Sequence, residues 1–336
     1  MKGMGIFIDL PFRVFVNDMS TGERTCTCSE HPLSAALTRC KESTAMPIRA
    51  ILAAIFVAMC WGGNYTATKI ALHEFPPYIA LVLRFIGVAL VLAPFALRQK
   101  FPRMFDMAFL AMTLIVLQFA CIFAALHMGL SITSAVVAAQ LGVPFACVLA
   151  AILFKDFLGP WRSAGLMVAF LGVLIVAGTP DASEHWQAFL LAVAASFAWA
   201  SANVYMKRMQ PTPPVVQLLF WPALMSIPML ALLSYMFEAN QWQAITNAHW
   251  QSWGWVGYSL IFSSLLGYGL WNRLITKYPM SAVVPYSLLV PIVGITAGVI
   301  AFGDPITSQV IAGATLTIIG VGIITVRRPQ LMEIEQ

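Results

Sequence analysis

The sequence predicts an all-α polytopic membrane protein in which ten transmembrane helices form two inverted five-helix repeats and both termini are cytoplasmic. Three observations predict this fold class: charge is scarce, the apolar blocks have bilayer length, and motifs recur in order along the chain. Of the 336 residues, 60% are hydrophobic and only 10% are charged. Water-soluble domains carry roughly 25% charged residues, because a folded surface must be solvated. The chain therefore belongs in a lipid bilayer.

The apolar residues are grouped in blocks of about 17–25 residues, the length that a helix needs to cross about 30 Å of hydrocarbon. Long apolar runs without alternation, such as 80–97 with Arg84 as its one charged residue, exclude a β-barrel, whose strands alternate apolar and polar residues over about ten positions. We predict transmembrane helices at 49–72, 78–97, 107–127, 131–154, 161–178, 187–206, 214–236, 252–275, 280–302 and 306–326.

The lysine and arginine residues predict the orientation, because cytoplasmic loops are enriched in these cations. With the N-terminus inside, all of the 19 cations except Lys69 and Arg84 fall on the cytoplasmic side. Both termini are then cytoplasmic, in agreement with an even number of helices. We expect a multi-pass protein of the cell (inner) membrane. The cations are dispersed over short loops, so they indicate no nucleic-acid partner.

The two ends of the chain lack the apolar blocks. Residues 1–45 mix charges with scattered Pro and Gly, which favours either a disordered cytoplasmic tail or a translation start at Met46. Residues 327–336 form a short cytoplasmic tail. Cys26, Cys28, His31 and Cys40 match no standard zinc spacing, so we expect no metal, and nothing in the sequence indicates a cofactor.

Motifs recur in the same order in the two halves of the chain. The motif SAVV at 134–137 returns at 281–284, and a proline follows each serine after ten residues. The separation between matching residues steps from 138 at the first tryptophan to 147 at these prolines, because the second half has a longer connection. Further matches are Trp61 with Trp199, Lys69 with Lys207, Pro76-Pro77 with Pro213-Pro214, Gly165 with Gly313 and Gly172 with Gly320.

This series predicts a duplicated unit of five helices, at 49–178 and 187–326. Because five is odd, the second unit enters the bilayer from the side opposite the first. Inverted repeats of this kind are typical of secondary transporters, whose substrate site lies near the bilayer midplane between the halves. A channel or a non-transporting scaffold is the alternative for a duplicated membrane protein.

Two stretches carry a resemblance to a known family. CWGGNYTATKIALHEFPPYIALVLRF (60–85) and the stretch from LLGYGLWNRLITKYPMSAVVPYSLLVP to IIGVGI (265–323) resemble the EamA domains of the drug/metabolite transporter superfamily, and within it the O-acetylserine/cysteine exporters. The resemblance implies a central cavity surrounded by helices 1–4 and 6–9, with helices 5 and 10 to the side. The family's usual Gly-Glu after helices 4 and 9 appears here as Lys155-Asp156 and Gly303-Asp304.

Polar side chains in the hydrocarbon region are the candidates for lining such a cavity, because they are costly in lipid and normally face the bundle interior. The alternative for each amide is an interhelical hydrogen bond worth about 1 kcal/mol. Their presence in both repeats favours a lined cavity. The candidates are Trp61, Asn64, Tyr65, Arg84, Gln118, Gln140, Trp199, Asn203, Tyr268 and Tyr286.

Two roles are possible for Arg84 and for each of three prolines. Arg84 either extends to the membrane surface or binds a substrate carboxylate through two hydrogen bonds. Pro144, Pro285 and Pro291 each remove a backbone hydrogen bond, so they either hinge a gate or give a static kink.

The chain lacks the common catalytic motifs, so we expect that the protein is not an enzyme. Asp106, Asp156 and Asp304 lie at membrane edges, which leaves possible proton coupling without an obvious carrier and a facilitator or exchanger open. We predict a secondary active transporter that exports small metabolites, such as amino acids or derivatives similar to O-acetylserine and cysteine, by alternating access. An importer of another small neutral or amphipathic metabolite is the alternative. Its partners are then a small-molecule substrate and the lipid bilayer, while the oligomeric state stays open.

Overall fold

The computed structural model describes residues 46–154, 159–209, 212–278 and 280–326, and all regular elements in these ranges are helices. The predicted tails at 1–45 and 327–336, and the pair Lys155-Asp156, lie outside the described residues. The main helices, labelled α1 to α10, are Ile48–Ala71, Pro77–Ala96, Met104–His127, Ile132–Phe154, Pro160–Ala177, Trp186–Arg208, Val215–Phe237, 250–277, 280–302 and Ser308–Val326.

Nine helices of the described ranges are long and apolar enough to cross a membrane. Helix α8 is the main helix outside this group, because polar, glycine and aromatic residues fill its first part and Asn272, Arg273 and Lys277 lie near its end. The all-helical, multi-pass class is therefore confirmed. The count of ten spans and the cytoplasmic termini stay predictions.

Side-chain carboxylates from other helices cap the starts of α2 and α4. Glu238, just after α7, accepts hydrogen bonds from the backbone N–H groups of Tyr78 and Ile79, the latter at 3.1 Å. Asp181 accepts from the backbone N–H and hydroxyl of Ser131, the N-cap residue of α4. The first N–H groups of a helix have no partner within the helix, and negative charge is favourable there. These caps therefore fix how the helices meet at this face.

The packing relates the two repeats by a pseudo-twofold axis. Helix α5 packs against α10, and α2 packs against α7, so each of these pairs joins equivalent helices. Helix α1 of the first repeat packs against α8 and α9 of the second, and α6 of the second packs against α3 and α4 of the first. The first helix of each repeat therefore packs against helices of the other repeat.

Glycine residues hold α5 and α10 in backbone contact. A Cβ atom on Gly320 would lie 2.6 Å from the carbonyl oxygen of Gly165, and one on Gly313 would lie 2.6 Å from that of Gly172. The outer face of the pair is apolar and exposed, as at Met167 (71%). The glycines thus allow the two helices to approach closely, as small residues do in membrane helix pairs.

Helices α3 and α8 each contain a π-helical segment, at Ala111–Leu117 and Ser259–Gly267. The starts of the two segments are 148 residues apart, which is the separation that relates the glycines of α5 and α10. Short π-helical segments inside α-helices are rare and frequent at functional sites. Both repeats therefore contain a π-helical segment at equivalent positions.

Helices α4 and α9 are both interrupted one turn before a proline. In α4 the break falls at 140–141, because Pro144 has no N–H for the carbonyl oxygen of Gln140. This oxygen accepts instead from the N–H of Val143, at 3.3 Å. In α9 a 3-10 turn occupies Val284–Leu288, and it contains Pro285 and ends before Pro291.

Candidate functional site

Arg84 lies inside the bundle, where α2 faces α8. Its side chain is buried, with 1% of the residue exposed. Nε and Nη2 donate to Oγ of Ser264 at 3.0 and 2.9 Å, and Nη2 also donates to Oγ of Ser263 at 3.4 Å. The guanidinium carbon is 4.6 Å from the ring centroid of Phe119, a favourable cation–π distance. The guanidinium thus reaches the second repeat and does not extend to the membrane surface.

The π-helical segment of α8 places two consecutive serines beside Arg84. Consecutive residues of a regular α-helix point in directions about 100° apart, and the wider turn of a π-helix changes this register. Oγ of Ser264 also donates to the carbonyl oxygen of Ser259, five residues earlier, at 3.2 Å. The distorted backbone therefore provides the hydroxyl groups that hold the guanidinium.

A small cavity adjoins Arg84, with room for about one water molecule. Two polar groups of its lining, Nη1 of Arg84 and Oγ1 of Thr68, are buried and have no hydrogen-bond partner among the described residues. A buried polar group left unpaired costs about 1–3 kcal/mol. An oxygen-bearing ligand is therefore favoured here. The lining consists of Thr68, Ala71, Ala80, Arg84, Phe123, Val256 and Ser259.

Aromatic side chains continue this site along α1 and α8. Nε1 of Trp61 donates to the carbonyl oxygen of Ser263 at 3.2 Å. The Trp61 ring is tilted against Tyr268, with centroids 5.2 Å apart, and Tyr268 lies near both Arg84 and Tyr65. We call Trp61, Tyr65, Thr68, Arg84, Ser263, Ser264 and Tyr268 the Arg84 cluster.

The other predicted cavity residues make contacts of a different kind. Asn203 donates to the carbonyl oxygen of Trp199 in its own helix, at 2.7 Å, while Trp199 packs on Gly142, where a Cβ atom would lie 2.7 Å from its ring. Gln140 lies at the break of α4, and Tyr286 packs on an apolar group of α1, α8 and α9. These contacts do not include the Arg84 cluster.

Two of the predicted amide side chains can still accept a hydrogen bond. The side-chain oxygens of Asn64 and Gln118 are buried and have no partner among the described residues. The sequence interpretation did not single out Ser263 and Ser264. Their only signal was a pair of adjacent hydroxyls in the middle of the least apolar predicted helix.

Helices α4 and α9 meet through one half of each. The contact joins Ile132–Ala139 to Leu289–Phe302. A Cβ atom on Gly294 would lie 2.8 Å from the side chain of Val136, so the helices touch closely. Beyond the breaks, α4 packs against α6, and α9 packs against α1 and α10. The two helices thus close one face of the bundle, the face that the charge asymmetry predicts to be external.

An all-helical bundle of inverted repeats with a buried cation between them defines a class of membrane transporters. The chain belongs to the EamA-like transporter family, which matches residues 48–178 and 186–326. The resemblance seen in the sequence is thereby confirmed.

Named relatives are also transporters. The chain is 31% identical to a "Probable amino-acid metabolite efflux pump" of Salmonella typhimurium and 29% identical to the protein of the same name in Escherichia coli, in each case over 80% of this chain and 91% of the relative. It is 24% identical to "Uncharacterized transporter YoaV" of Bacillus subtilis, over 82% of this chain and 96% of the relative. A crystal structure with 18% identity superposes with a TM-score of 0.58 over 83% of this chain and 96% of that chain, which shows the same fold.

Proposed function

We propose that this transporter exports amino acids or close derivatives across the cell membrane by alternating access. The observation that carries the proposal is the unpaired Nη1 of Arg84, which lines a cavity between the two repeats. A substrate carboxylate is the natural partner of the N–H groups on Nη1, because hydrogen bonds between a charged donor and a charged acceptor are the stronger ones. The names of the Salmonella and Escherichia relatives agree with this substrate class.

The surroundings of Arg84 favour a substrate with one charged and one apolar end. Ser264 already occupies Nε and Nη2, so the guanidinium is held in place before a ligand arrives. Phe123 and Val256 provide the apolar part of the cavity lining, while Thr68 offers a hydroxyl. In this closed state the cavity has room for about one water molecule, so it must widen to admit a small amino acid, whose carboxylate would then meet Arg84 and whose apolar part would meet Phe123 and Val256.

The closure of α4 against α9 supports alternating access. With the predicted orientation, the bundle is closed on the external face, so the next opening of the cavity is toward the cytoplasm. Substrate would bind Arg84 from the cytoplasm, and a rearrangement at the breaks before Pro144 and Pro291 would expose it outside. Inverted repeats allow such an exchange, because each repeat can adopt the conformation of the other.

A counterflow experiment tests the proposal. The purified protein is reconstituted in liposomes loaded with unlabelled L-cysteine or O-acetyl-L-serine, and uptake of the labelled compound is followed. We expect saturable counterflow, and we expect Arg84→Ala to raise the KM by about tenfold or more, since hydrogen bonds to charged groups contribute about 1.5–3 kcal/mol. Arg84→Lys keeps the charge without the planar guanidinium that Ser264 holds in place, and its KM should fall between those of the wild type and Arg84→Ala. The exposed Arg98→Ala is the matched control.

The outcomes separate the parts of the proposal. Cysteamine, which lacks the carboxylate, should not drive counterflow in the wild type. An unchanged KM in Arg84→Ala contradicts the role of Arg84, and flux without saturation indicates a channel. Counterflow without accumulation under an imposed pH gradient favours the exchanger, a candidate supported by the position of the described carboxylates, all of which lie at helix ends or in connections.

A further inference from the structure

Lys69, a cation on the predicted external side, is engaged in an ion pair at the end of α1. Its Nζ is 3.8 Å from Oδ1 of Asp304, and the side chains of Lys69 and Asp304 are 20% and 4% exposed. The same Nζ lies 4.8 Å from the ring centroid of Phe302. Exposed ion pairs contribute little to stability, because solvent and salt screen the charges. This carboxylate is almost completely removed from solvent, and a buried charge is stable only with well-placed partners. The pair therefore has a defined geometry.

Asp304 also binds the first turn of α4. Its Oδ2 accepts a hydrogen bond from the backbone N–H of Thr133 at 2.9 Å. This N–H belongs to the group that has no partner within a helix, and the helix N-terminus favours negative charge. Close approach is possible because residue 298 is glycine: a Cβ atom there would lie 2.7 Å from Oδ2. One carboxylate thus joins α1, α4 and α9.

These contacts cross the boundary between the repeats at the closed face. Lys69 and Thr133 belong to the first repeat, whereas Asp304 belongs to the second. They lie at the same end as the contact between Ile132–Ala139 and Leu289–Phe302. The other titratable groups nearby are His73, which stacks on Phe302 at 6.4 Å, and Asp181, which binds Ser131 and Ser134.

The opposite face carries a related lysine–phenylalanine contact. Lys207 follows Lys69 by 138 residues, and its Nζ lies 5.3 Å from the ring centroid of Phe154, which precedes Phe302 by 148 residues. Lys207 is exposed, whereas Lys69 is partly buried. Both repeats thus contain the lysine–phenylalanine contact, and the lysine at the closed face is the more buried of the two.

We propose that Lys69 and Asp304 form a latch that holds the external face closed and that must open once in each transport cycle. The inference rests on the alternating access proposed above, but it does not depend on the substrate. Opening moves the end of α9 away from both α1 and α4, which breaks the ion pair and the bond from Asp304 to Thr133 together. Loss of the latch therefore shifts the unliganded protein toward the externally open state.

Cysteine labelling without substrate tests the latch. Val136 faces Gly294 inside the closed contact and is fully buried. A single Val136→Cys, in the full chain with the native cysteines replaced by alanine, is exposed to a membrane-impermeant maleimide in intact cells. We expect slow labelling with the latch intact and about five-fold or faster labelling in Lys69→Gln and Asp304→Asn, since couplings between sites commonly correspond to at least this factor.

Matched variants separate the latch from general damage. Lys69→Arg keeps the ion pair and should label slowly. Glu74→Gln removes a carboxylate on the same face that binds His249 instead of α4, and it should also label slowly. If Asp304→Asn fails to reach the membrane, Lys69→Gln carries the test, because its side chain is partly exposed.

Two results would overturn the latch. Unchanged labelling in Lys69→Gln shows that the ion pair does not hold the closed face, and equal acceleration in Glu74→Gln shows a nonspecific effect. Neither result bears on the substrate, which the counterflow of Arg84→Ala tests separately.

Discussion

The indole Nε1 of Trp61 donates a hydrogen bond to the backbone carbonyl oxygen of Ser263, 3.2 Å away, across the boundary between the two repeats. Ser263 is also the residue whose hydroxyl accepts from Arg84. A single residue of α8 therefore contacts both α1 and α2. Displacement of Trp61 should therefore shift Ser263 and change the position of the Arg84 guanidinium.

Gly267→Ala should impair transport by displacing Trp61. A Cβ atom at this position would lie 2.6 Å from Nε1 of Trp61, so the indole must move. We expect the KM for the amino-acid substrate to rise by about two- to tenfold, the equivalent of one neutral hydrogen bond. Gly257→Ala in the same helix is the control, because its Cβ atom would meet nothing within 4 Å. Equal KM values for the two variants would contradict the positioning of Trp61 by Gly267.

Ser264→Ala should lower the Tm and raise the KM more than Ser263→Ala does. Ser264 accepts from Arg84 at 3.0 and 2.9 Å, whereas Ser263 accepts at 3.4 Å. Removing the closer hydroxyl leaves Nε of a buried cation unpaired and leaves Nη2 with only its longer hydrogen bond to Ser263, at a cost of about 1–3 kcal/mol. Thermal unfolding in detergent and the KM should both show this order. A larger effect of Ser263→Ala would mean that the guanidinium is held differently.

Gly320→Ala should destabilise the fold and leave the KM unchanged. The added Cβ atom would lie 2.6 Å from the carbonyl oxygen of Gly165, and a backbone atom cannot turn away as a side chain can. We expect a loss of about 1–3 kcal/mol, the usual cost of overpacking, measured as a lower Tm.

Gly322→Ala is the matched control for this prediction, two residues further along α10. Its nearest neighbour would be the side chain of Leu288, at an ordinary 3.7 Å. Its Tm should be equal to or above that of the wild type, because alanine is the better helix former. A raised KM in Gly320→Ala would show that the glycine contact also shapes the substrate site.

Glu74→Gln should remove part of the acid sensitivity of the external face. Hydrogen bonds from the backbone and then the ring of His249 lower the pKa of the Glu74 carboxyl from its ordinary value of 4.5. A lowered folded-state pKa stabilises the fold above the unfolded value and loses this contribution as the pH falls through the folded value.

The Tm measured as the pH falls below about 4.5 tests this prediction, since the wild type should lose stability there more steeply than Glu74→Gln. The exposed Glu184→Gln is the control and should follow the wild type. Parallel curves for all three proteins would show that this contact does not contribute.

Much of the fold could be predicted because the length of a membrane helix is visible in the sequence as an apolar block. The breaks near Pro144 and Pro291 follow from the missing N–H of proline, and the close pair of α5 and α10 follows from the spaced glycines. The π-helical segments could not be foreseen, since one extra residue in a turn leaves no mark in an apolar run. Pro94, Pro222 and Pro228 lie inside α2 and α7 without the breaks seen in α4 and α9.

The site was only partly predictable, for a different physical reason. Arg84 was conspicuous because a cation in hydrocarbon is costly, and Trp61 and Tyr268 were candidates as polar aromatic residues. Their partners Ser263 and Ser264 were not, because hydroxyl groups are common in membrane helices and can bond to their own backbone. The contact of Lys69 with Asp304 joins residues far apart in sequence, and only packing brings them together.

The glycine contact between α5 and α10 gives the two repeats a common spine. Backbone lies against backbone there, so neither helix can slide without a steric collision that no side-chain rotation relieves. We expect the other helices to pivot about this fixed line while it stays still in the bilayer. Sequence changes along the spine would then alter how quickly the protein turns over, and leave its choice of cargo untouched.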